Sequence, residues 1–496
     1  IHNAIGKMMA VDLQPYSIVE DAGFTELVNL LEPKYKIPSR RFSDKVIPDM
    51  YDKVIKQVRN AVDRANALAF TCDTWTSEYT IQSYISLTVW IDIEFSSRSV
   101  VLQCKAFNTR HTGKQIADSV LETMKTWDIP TKKMIIVRDN AANMVKAMSE
   151  ARLPSIGCFA YCKTPLTDAP DTGTGVNDMI AVCRKTVGHF KHSSSAKARF
   201  TELQSELGLP NHNLIQDVVT RWNSSYLMLQ RMMEQKCAIN LYISETDNMQ
   251  HIHAQQWALM ETVIGILQPF EELTREISAA NACISIILPA VAMLKRYIST
   301  DVADDGIKHI KNLMLSSLQS RFHGLEENSI LVVATALDPR YKVKLWTAEI
   351  QSDDSGSGGS TLSKSHDDKN SKQGKSPGRE IGPSPSKKKC KGIWNNWEEL
   401  FGKKNNQPMP TNTVEKEMNA FYLDQNIDRS EDPVQWWKRH RIIFPNLAKT
   451  AEIYLCSPPI SVQSEQLFST AGDVCSHSRS RLSPQNAERL IFLKAN

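Results

Sequence analysis

The sequence predicts an α/β fold in which a mixed sheet leads into a long helical region. Three observations point there. Three consecutive runs, Ala67–Asp73, Tyr84–Ile93 and Arg98–Phe107, are apolar or alternate with β-branched residues, as strands do. Helical and strand patterns then alternate along the chain. From about residue 175 to about residue 345, helical spacing takes over.

Taken in order, residues 1–60 read as helices punctuated by Pro33, Pro38 and Pro48, with Pro38-Ser-Arg-Arg41 in a turn. Ala67–Asp73 is a buried strand that ends in an acid. Lys114–Trp127 has helical spacing, with Ile116, Val120, Leu121 and Met124 on one face. Met134–Val137 is a short buried strand, Ala141–Glu150 a helix, and Ile156–Ala160 a further strand. The order β-β-β-α-β-α-β-α is that of an RNase H-like fold. Its first and fourth strands are neighbours, which would bring Asp73 and Asp139 to one strand-end edge. Four regions are expected: an N-terminal helical segment for DNA binding or dimerisation (1–62), the first part of the RNase H-like core (63–226), an all-helical insertion (227–445) and the end of the core (446–496). Within the insertion, residues 352–392 are rich in Ser, Gly, Asp and Lys and cannot bury enough apolar surface to order themselves. Their end, Lys387-Lys-Lys-Cys-Lys391, reads as a solvated linker terminus.

Composition sets the bounds. The 496 residues are 41% hydrophobic, ample for a large core, and carry a net charge of only +4. Any charge for binding nucleic acid must therefore be local. The 10 cysteines are scattered and form no C-x-x-C pair, which suggests a reducing compartment rather than a disulfide framework. No stretch approaches the roughly 18 apolar residues of a membrane helix, so no membrane partner is expected. The start, Ile1-His-Asn-Ala, carries neither a signal pattern nor an initiator Met, and the chain reads as a fragment of a soluble, intracellular protein.

Three acids stand in distinctive frames: Asp73 in Phe70-Thr-Cys-Asp-Thr-Trp75, Asp139 in Met134-Ile-Ile-Val-Arg-Asp-Asn140, and Glu465 in Ser464-Glu-Gln-Leu-Phe-Ser469. Two follow strand patterns and the third opens a helical run. Carboxylates gathered from two strands and a helix are what a two-metal phosphoryl-transfer site requires. The plain alternatives are a turn acid for Asp73, a helix N-cap for Asp139 and a first-turn helix carboxylate for Glu465. Trp75, two residues beyond Asp73, shares its strand face. His189 and His192 form an i, i+3 pair without a matching partner set, and read as a surface helix. Trp436-Trp437 precedes a basic run, Lys438-Arg-His-Arg441, and at least one of the two reads as core.

Several phrases together resemble the hAT superfamily of DNA transposases, in its BED zinc-finger subgroup. They are Cys72-Asp-Thr-Trp-Thr76, Arg138-Asp-Asn-Ala-Ala-Asn-Met144, Thr220-Arg-Trp-Asn-Ser-Ser225, Ala336-Leu-Asp-Pro-Arg-Tyr-Lys342, Asp432-Pro-Val-Gln-Trp-Trp-Lys438 and Ser464-Glu-Gln-Leu-Phe-Ser-Thr-Ala-Gly472. The end, Arg479-Ser-Arg-Leu-Ser-Pro through Leu490-Ile-Phe-Leu-Lys494, resembles the family's C-terminal dimerisation region.

The resemblance implies that Asp73, Asp139 and Glu465 are catalytic acids that bind Mg²⁺ or Mn²⁺, with zinc only in a BED finger that these residues do not include. It implies contacts to double-stranded DNA, with Trp222 stacking a flipped base, Arg221 on a phosphate and Trp75 beside the site. Trp222 reads equally as a core residue of an amphipathic helix that carries Leu227 and Leu229. It further implies a nuclear location and a homodimer or higher oligomer through the C-terminal region, where Leu490, Ile491, Phe492 and Leu493 would supply a dimer surface; apolar residues this dense at a chain end should be buried, either internally or by a partner. Two departures stand out. Tyr161 in Cys158-Phe-Ala-Tyr161 replaces the family's His, and Arg138 takes a place commonly held by a small hydroxyl residue. These leave an active transposase, a domesticated, dimeric transcription regulator, or, as the low net charge permits, a dimerisation module with no DNA contact.

Overall fold

The computed structural model describes residues 1–77, 79–92, 94–129, 134–159, 175–218, 222–246, 249–279, 281–300, 305–342, 413–475 and 482–496. The low-complexity stretch 352–392, the lysine cluster at its end, Ala160 and Tyr161 lie outside the described residues.

Three helices, α1 (His2–Val11), α2 (Ala22–Leu31) and α3 (Ser43–Asp63), precede the sheet. β1 (Ala67–Thr76), β2 (Ser83–Asp92) and β3 (Ser97–Ala106) form an antiparallel meander. Then α4 (Gly113–Thr126) leads to β4 (Met134–Arg138), which pairs parallel to β1, and α5 (Ala142–Glu150) leads to β5 (Ser155–Gly157), parallel to β4. The sheet order is β3-β2-β1-β4-β5, so the first and fourth strands are neighbours.

Alternation along the central strands divides the core. Leu68, Phe70 and Cys72 of β1 and Met134 and Ile136 of β4 join one cluster with Ile116, Val120 and Met124 of α4. On the other face, Ile135 and Val137 of β4 join a large helical cluster. Ala67 and Ala69 of β1 pack with Cys456. The sheet is therefore covered on both faces.

The helical cluster is built from α6 (Val176–His192), α7 (Ser194–Glu206), α8 (Trp222–Glu234), α9 (Lys236–Glu245), α10 (Ala254–Ile277), α11 (Ile287–Ser299), α12 (Asp305–Arg321) and α13 (Ser329–Leu337). The chain resumes with α14 (Thr413–Leu423), α15 (Pro433–His440) and α16 (Pro445–Leu455), and ends with α17 (Val462–Val474) and α18 (Pro484–Ala495). The Asp338-Pro-Arg-Tyr-Lys342 phrase is a clasp. Asp338 accepts from Ser285 Oγ at 2.6 Å and from the Arg340 guanidinium at 2.7 Å. Lys342 Nζ donates to the carbonyls of Phe421 (2.8 Å) and Asp424 (3.0 Å), which end α14. Trp436 and Trp437 are both buried, and Trp437 Nε1 donates to the Leu337 carbonyl at 2.8 Å.

Several expectations change. Asp73 does not end its strand: β1 runs on to Thr76, because its antiparallel pairing with β2 continues to Thr76–Ser83. Pro48 does not break a helix but lies inside α3. The backbone bond it forgoes is offset by burial of Val46 and Ile47 beside it. Leu121 faces outward at 38% exposure, away from its α4 companions. His189 does not lie on an open surface, since its Nε2 is 3.0 Å from the Tyr242 hydroxyl.

For α18 the burial is internal. Leu490, Ile491, Phe492 and Leu493 are buried within the chain, which corrects the expected dimer surface at these residues. The helix packs on β3, α3 and α1, with Phe492 edge-on to Tyr51 at 4.8 Å. It also seals the sheet's edge: Glu488 accepts from the Ala106 amide at 2.6 Å, and Asn496 exchanges bonds with the Val101 amide (2.9 Å) and carbonyl (3.0 Å). An uncovered edge strand is an aggregation hazard, and here the chain's own end covers it.

Phe492→Ala is expected to cost about 3–5 kcal/mol of stability, as large-to-small core changes do. Urea unfolding measures this, and no change in subunit number should accompany it.

Candidate active site

The site forms where the β1–β4 pairing ends. The last paired residues are Cys72 and Arg138, and Asp73 and Asp139 are the next residue on each strand. Their carboxylates are held alike. Asp73 Oδ1 accepts from the Thr74 amide at 2.8 Å, and Asp139 Oδ1 accepts from the Ala141 amide at 3.0 Å. Asp139 is not the N-cap of α5, which begins at Ala142 with Ala141 as its cap; the acid makes a tight turn ahead of the helix.

Asn140 carries this turn. Its Nδ2 donates to the Cys158 carbonyl at 3.1 Å, and a Cβ on Gly157 would lie 2.0 Å from its Oδ1. Only glycine leaves room there. Arg138 does not pair with the Asp139 carboxylate: its Nε donates to Ser155 Oγ at 3.3 Å and its Nη1 to the Asp139 carbonyl at 3.0 Å.

Glu465 lies in the first turn of α17 and is exposed. Buried contacts seat this helix. Ser464 Oγ donates to Thr71 Oγ1 at 3.1 Å, and both residues are fully buried. Thr71 shares a strand face with Asp73, two residues away, so the bond brings the start of α17 to the acids' side of the sheet. The Ser461 amide donates to Cys158 Sγ at 3.3 Å, and the Phe159 amide donates to the Pro459 carbonyl at 3.0 Å. Thr71, Ser464 and Cys158 were missed as site-building residues. The available signal was a hydroxyl between Phe70 and Cys72 on the face of the acid.

Electrostatics tie the acids together. Burial pushes the Asp73 carboxyl up to about 7; the Thr74 amide opposes this, while the charges of Asp139 and Glu465 add to it. Asp139 is also raised, chiefly by burial, although its backbone bond and the nearby Arg138 charge pull it down. Carboxylate oxygens are the donors that hard divalent cations take, and mutual repulsion at Asp73 is what a cation relieves. The donor chemistry therefore fits such an ion. Among the described residues, no three His, Cys, Asp or Glu side chains already stand close enough to share one.

The aromatic candidates divide. Trp75 is half-buried and stacks on Phe468 of α17 (5.9 Å, interplanar 20°), three residues beyond Glu465, with Tyr84 tilted against it at 5.9 Å. Arg221 lies outside the described residues, and Trp222 is described only as the backbone that opens α8. The described residues before α8 are held to its first turn. Arg184 grips Asp217 through Nε at 2.9 Å and Nη2 at 2.7 Å, and Ser225 Oγ donates to the same carboxylate at 3.0 Å. Ser224 bonds both the amide and the carbonyl of Val218.

Three family profiles match this chain in order: the "ZBED1 RNase-like domain" over residues 71–153, the "ZBED1 RNase-like helical domain" over 170–266, and the "hAT family C-terminal dimerisation region" over 416–496. A mixed sheet that brings Asp73 and Asp139 side by side, helices matched to an RNase-like helical domain, and a matched pairing region together define a transposase-derived protein. The chain belongs to the hAT superfamily, among its BED-type members.

It is similar to human zinc finger BED domain-containing protein 4, at 31% identity over 100% of this chain and 43% of that protein. It is similar to zinc finger BED domain-containing protein 6 of Mus musculus, at 25% identity over 100% of this chain and 55% of the relative. A putative AC transposase of Zea mays is 27% identical over 97% of this chain and 63% of its own length. The chain thus spans about half the length of these relatives.

Two predictions follow from this geometry. Ser464→Ala strands the buried Thr71 hydroxyl and is expected to cost about 1–3 kcal/mol, and adding Thr71→Val should recover part of that. A double-mutant cycle in urea measures the coupling. For Asp73, the folded carboxyl holds its proton to about pH 7, whereas the unfolded one releases it from its ordinary value of 3.8. The folded state therefore binds more protons in between, and stability falls as pH rises through that window. Asp73→Asn should remove this slope and stabilise the fold by roughly 1–3 kcal/mol at about pH 8 in EDTA, with little effect at about pH 4.

Proposed function

We propose that this chain is the catalytic body of a transposase-type DNA recombinase that cleaves phosphodiester bonds at Asp73, Asp139 and Glu465. The reading rests on one observation: Asp73 and Asp139 stand side by side where β1 and β4 stop pairing, and Asp73 senses the charges of both other acids. The sheet with its terminal helices is then an RNase H-like core, and the helices between β5 and α16 are an insertion between its two parts.

The three carboxylates would hold Mg²⁺ or Mn²⁺. When bound, the metal supplies Lewis acidity toward the phosphate and lowers the pKa of a bound water or 3′-hydroxyl. The chain's own contribution is placement. The Thr74 and Ala141 amides each hold one oxygen of an acid, which leaves the second oxygen of Asp73 and of Asp139 without a hydrogen bond among the described residues. The Ser464–Thr71 bond sets Glu465 at the same edge. Burial that raises Asp73 to about 7 leaves it partly protonated near neutrality, so a cation beside it would favour the deprotonated form.

Double-stranded DNA is the substrate, engaged by two or more copies in the nucleus. Arg221 and Trp222 contact the cleaved end. Stacking of a base on an aromatic ring contributes about 1–3 kcal/mol and tolerates any base.

A second reading rests on Arg138 and Tyr161. An Arg beside the second acid, and a Tyr where the family has His, suit a domesticated DNA-binding regulator whose acids are relics.

The deciding experiment is nicking of supercoiled plasmid with Mn²⁺ or Mg²⁺, with Glu465→Gln and Asp139→Asn run in parallel. Metal-dependent nicking that drops at least about a hundredfold in both variants supports catalysis. Nicking that persists in the variants, or no nicking by the parent, shifts the reading to the regulator.

A further inference from the structure

We infer that two loops beside the acids form a contact surface for duplex DNA, with Arg110 and Lys114 on its phosphates and Ile81 against its groove. That assignment rests on the reading that the acids cleave DNA, and it names the surface that receives the duplex next to the cleaved bond.

Topology puts the two loops together. β1 and β4 run parallel and both end at the acids, while β2 runs antiparallel to β1 and β3 antiparallel to β2. The β1–β2 turn and the β3–α4 loop therefore leave the sheet at the same edge as Asp73 and Asp139. Hydrogen bonds join them. The Phe107 amide donates to the Ser83 carbonyl at 2.7 Å, and Gln82 Nε2 donates to Asn108 Oδ1, which fastens the loop to the turn. Further along the loop, the His111 carbonyl accepts from Asn143 Nδ2 at 3.1 Å. Asn143 lies in the first turn of α5, four residues beyond Asp139. The loop is thus tied to the β1–β2 turn on one side and to the helix that follows the second acid on the other.

Its charge has one sign. From Lys105 to Ala117 the chain carries Lys105, Arg110, His111 and Lys114 and no acid. Lys105 pairs with Glu122 at 3.5 Å. Arg110 and Lys114 are exposed and form no ion pair among the described residues. Glu488 of α18, which reaches this end of β3, is spent on the Ala106 amide. Glu78, the acid of the β1–β2 turn, lies outside the described residues. Asp73, Asp139 and Glu465 repel a phosphate backbone, and two unpaired cations at the same edge offset that repulsion for a polyanion.

The turn adds an apolar point. Ile81 is 82% exposed with φ at +56°, and among the described residues it is the only β-branched one at positive φ. That conformation crowds its Cβ. Backbone bonds hold it there: the Ser77 amide donates to the Gln82 carbonyl, and the Ile81 amide to the Ser77 carbonyl, both at 2.9 Å. An exposed apolar side chain fixed on a tight turn contributes nothing to the core, and it is what a groove contact needs. Strained residues concentrate at such working surfaces. At about 3.3 Å per residue, Ser77 lies some 13 Å beyond Asp73. That is under half of the roughly 34 Å turn of a duplex, so one duplex can touch the acids and the turn together.

The test is fluorescence anisotropy of a labelled random-sequence duplex of about 30 base pairs, titrated in EDTA at several salt concentrations. Chelation keeps cleavage apart from binding. Arg110→Ala/Lys114→Ala and Ile81→Gly are compared with the parent, and Lys125→Ala serves as an exposed control at the far end of α4. Each lost phosphate contact lowers the slope of log K against log salt by about 0.9, so the double variant is expected to lose about 1.8. Glycine accepts positive φ, so Ile81→Gly keeps the turn; it is expected to bind at least about threefold more weakly with the parent's slope. Lys125→Ala is expected to match the parent. A double variant that keeps the parent's slope overturns the phosphate contacts, and Ile81→Gly that binds as the parent does overturns the groove contact; both leave the reading of the acids standing. A parent that binds no duplex at about 50 µM protein and about 50 mM salt overturns the surface and, with it, DNA as the substrate.

Discussion

The seating of α17 on the sheet is the constraint on which the rest of this molecule depends. Asp73 and Asp139 are placed by the paired ends of β1 and β4 and the Asn140 turn, but Glu465 arrives from the far end of the chain. Its position is set by a buried hydroxyl pair, Ser464–Thr71, by the Ser461 amide on Cys158, and by the Phe159–Pro459 backbone bond. These groups are shielded from water, where an unmade hydrogen bond costs more than a made one contributes. Any other seating of the helix would strand them. Phe468 stacked on Trp75 adds the apolar part of the same contact.

That seating puts like charges near one another in partial burial. Burial in the first place, and the charges of Asp139 and Glu465 after it, make Asp73 a carboxyl that holds its proton to near neutrality. A fold that keeps three acids at one edge gives up some stability at neutral pH unless a cation or a proton is present. Such strained electrostatics are concentrated at working sites more often than at purely structural ones. Arg138 does not quench the cluster, because its guanidinium is spent on Ser155 and a carbonyl.

The C-terminal segment shows how one stretch of sequence divides its tasks. Helix α18 is turned inward to close the edge of β3, with Glu488 and Asn496 taking the strand's open backbone groups. Apolar density at a chain end thus serves the fold itself. The exposed apolar residues of the same region are instead Met418, Leu423, Ile442 and Ile443.

Much of this was legible residue by residue. Strand alternation in Tyr84–Ile93 and Arg98–Phe107 and the short run Met134–Val137 announced the sheet, and the order of elements made β1 and β4 neighbours. Periodicity is a local property, so it survives without coordinates. Local pattern failed where long-range contacts overrule it. Pro48 is carried inside α3 beside buried Val46 and Ile47, Leu121 faces water, and β1 outruns Asp73 because β2 continues beside it.

The local frames of the three acids could be read in the sequence. What brings Glu465 within electrostatic reach of Asp73 could not, since Thr71 and Ser464 are 393 positions apart. By itself the sequence determined the alternating patterns, the element order and the acids' local frames. The tertiary structure alone decided which apolar residues are buried and how the third acid is held, because both depend on contacts between residues that are distant along the chain.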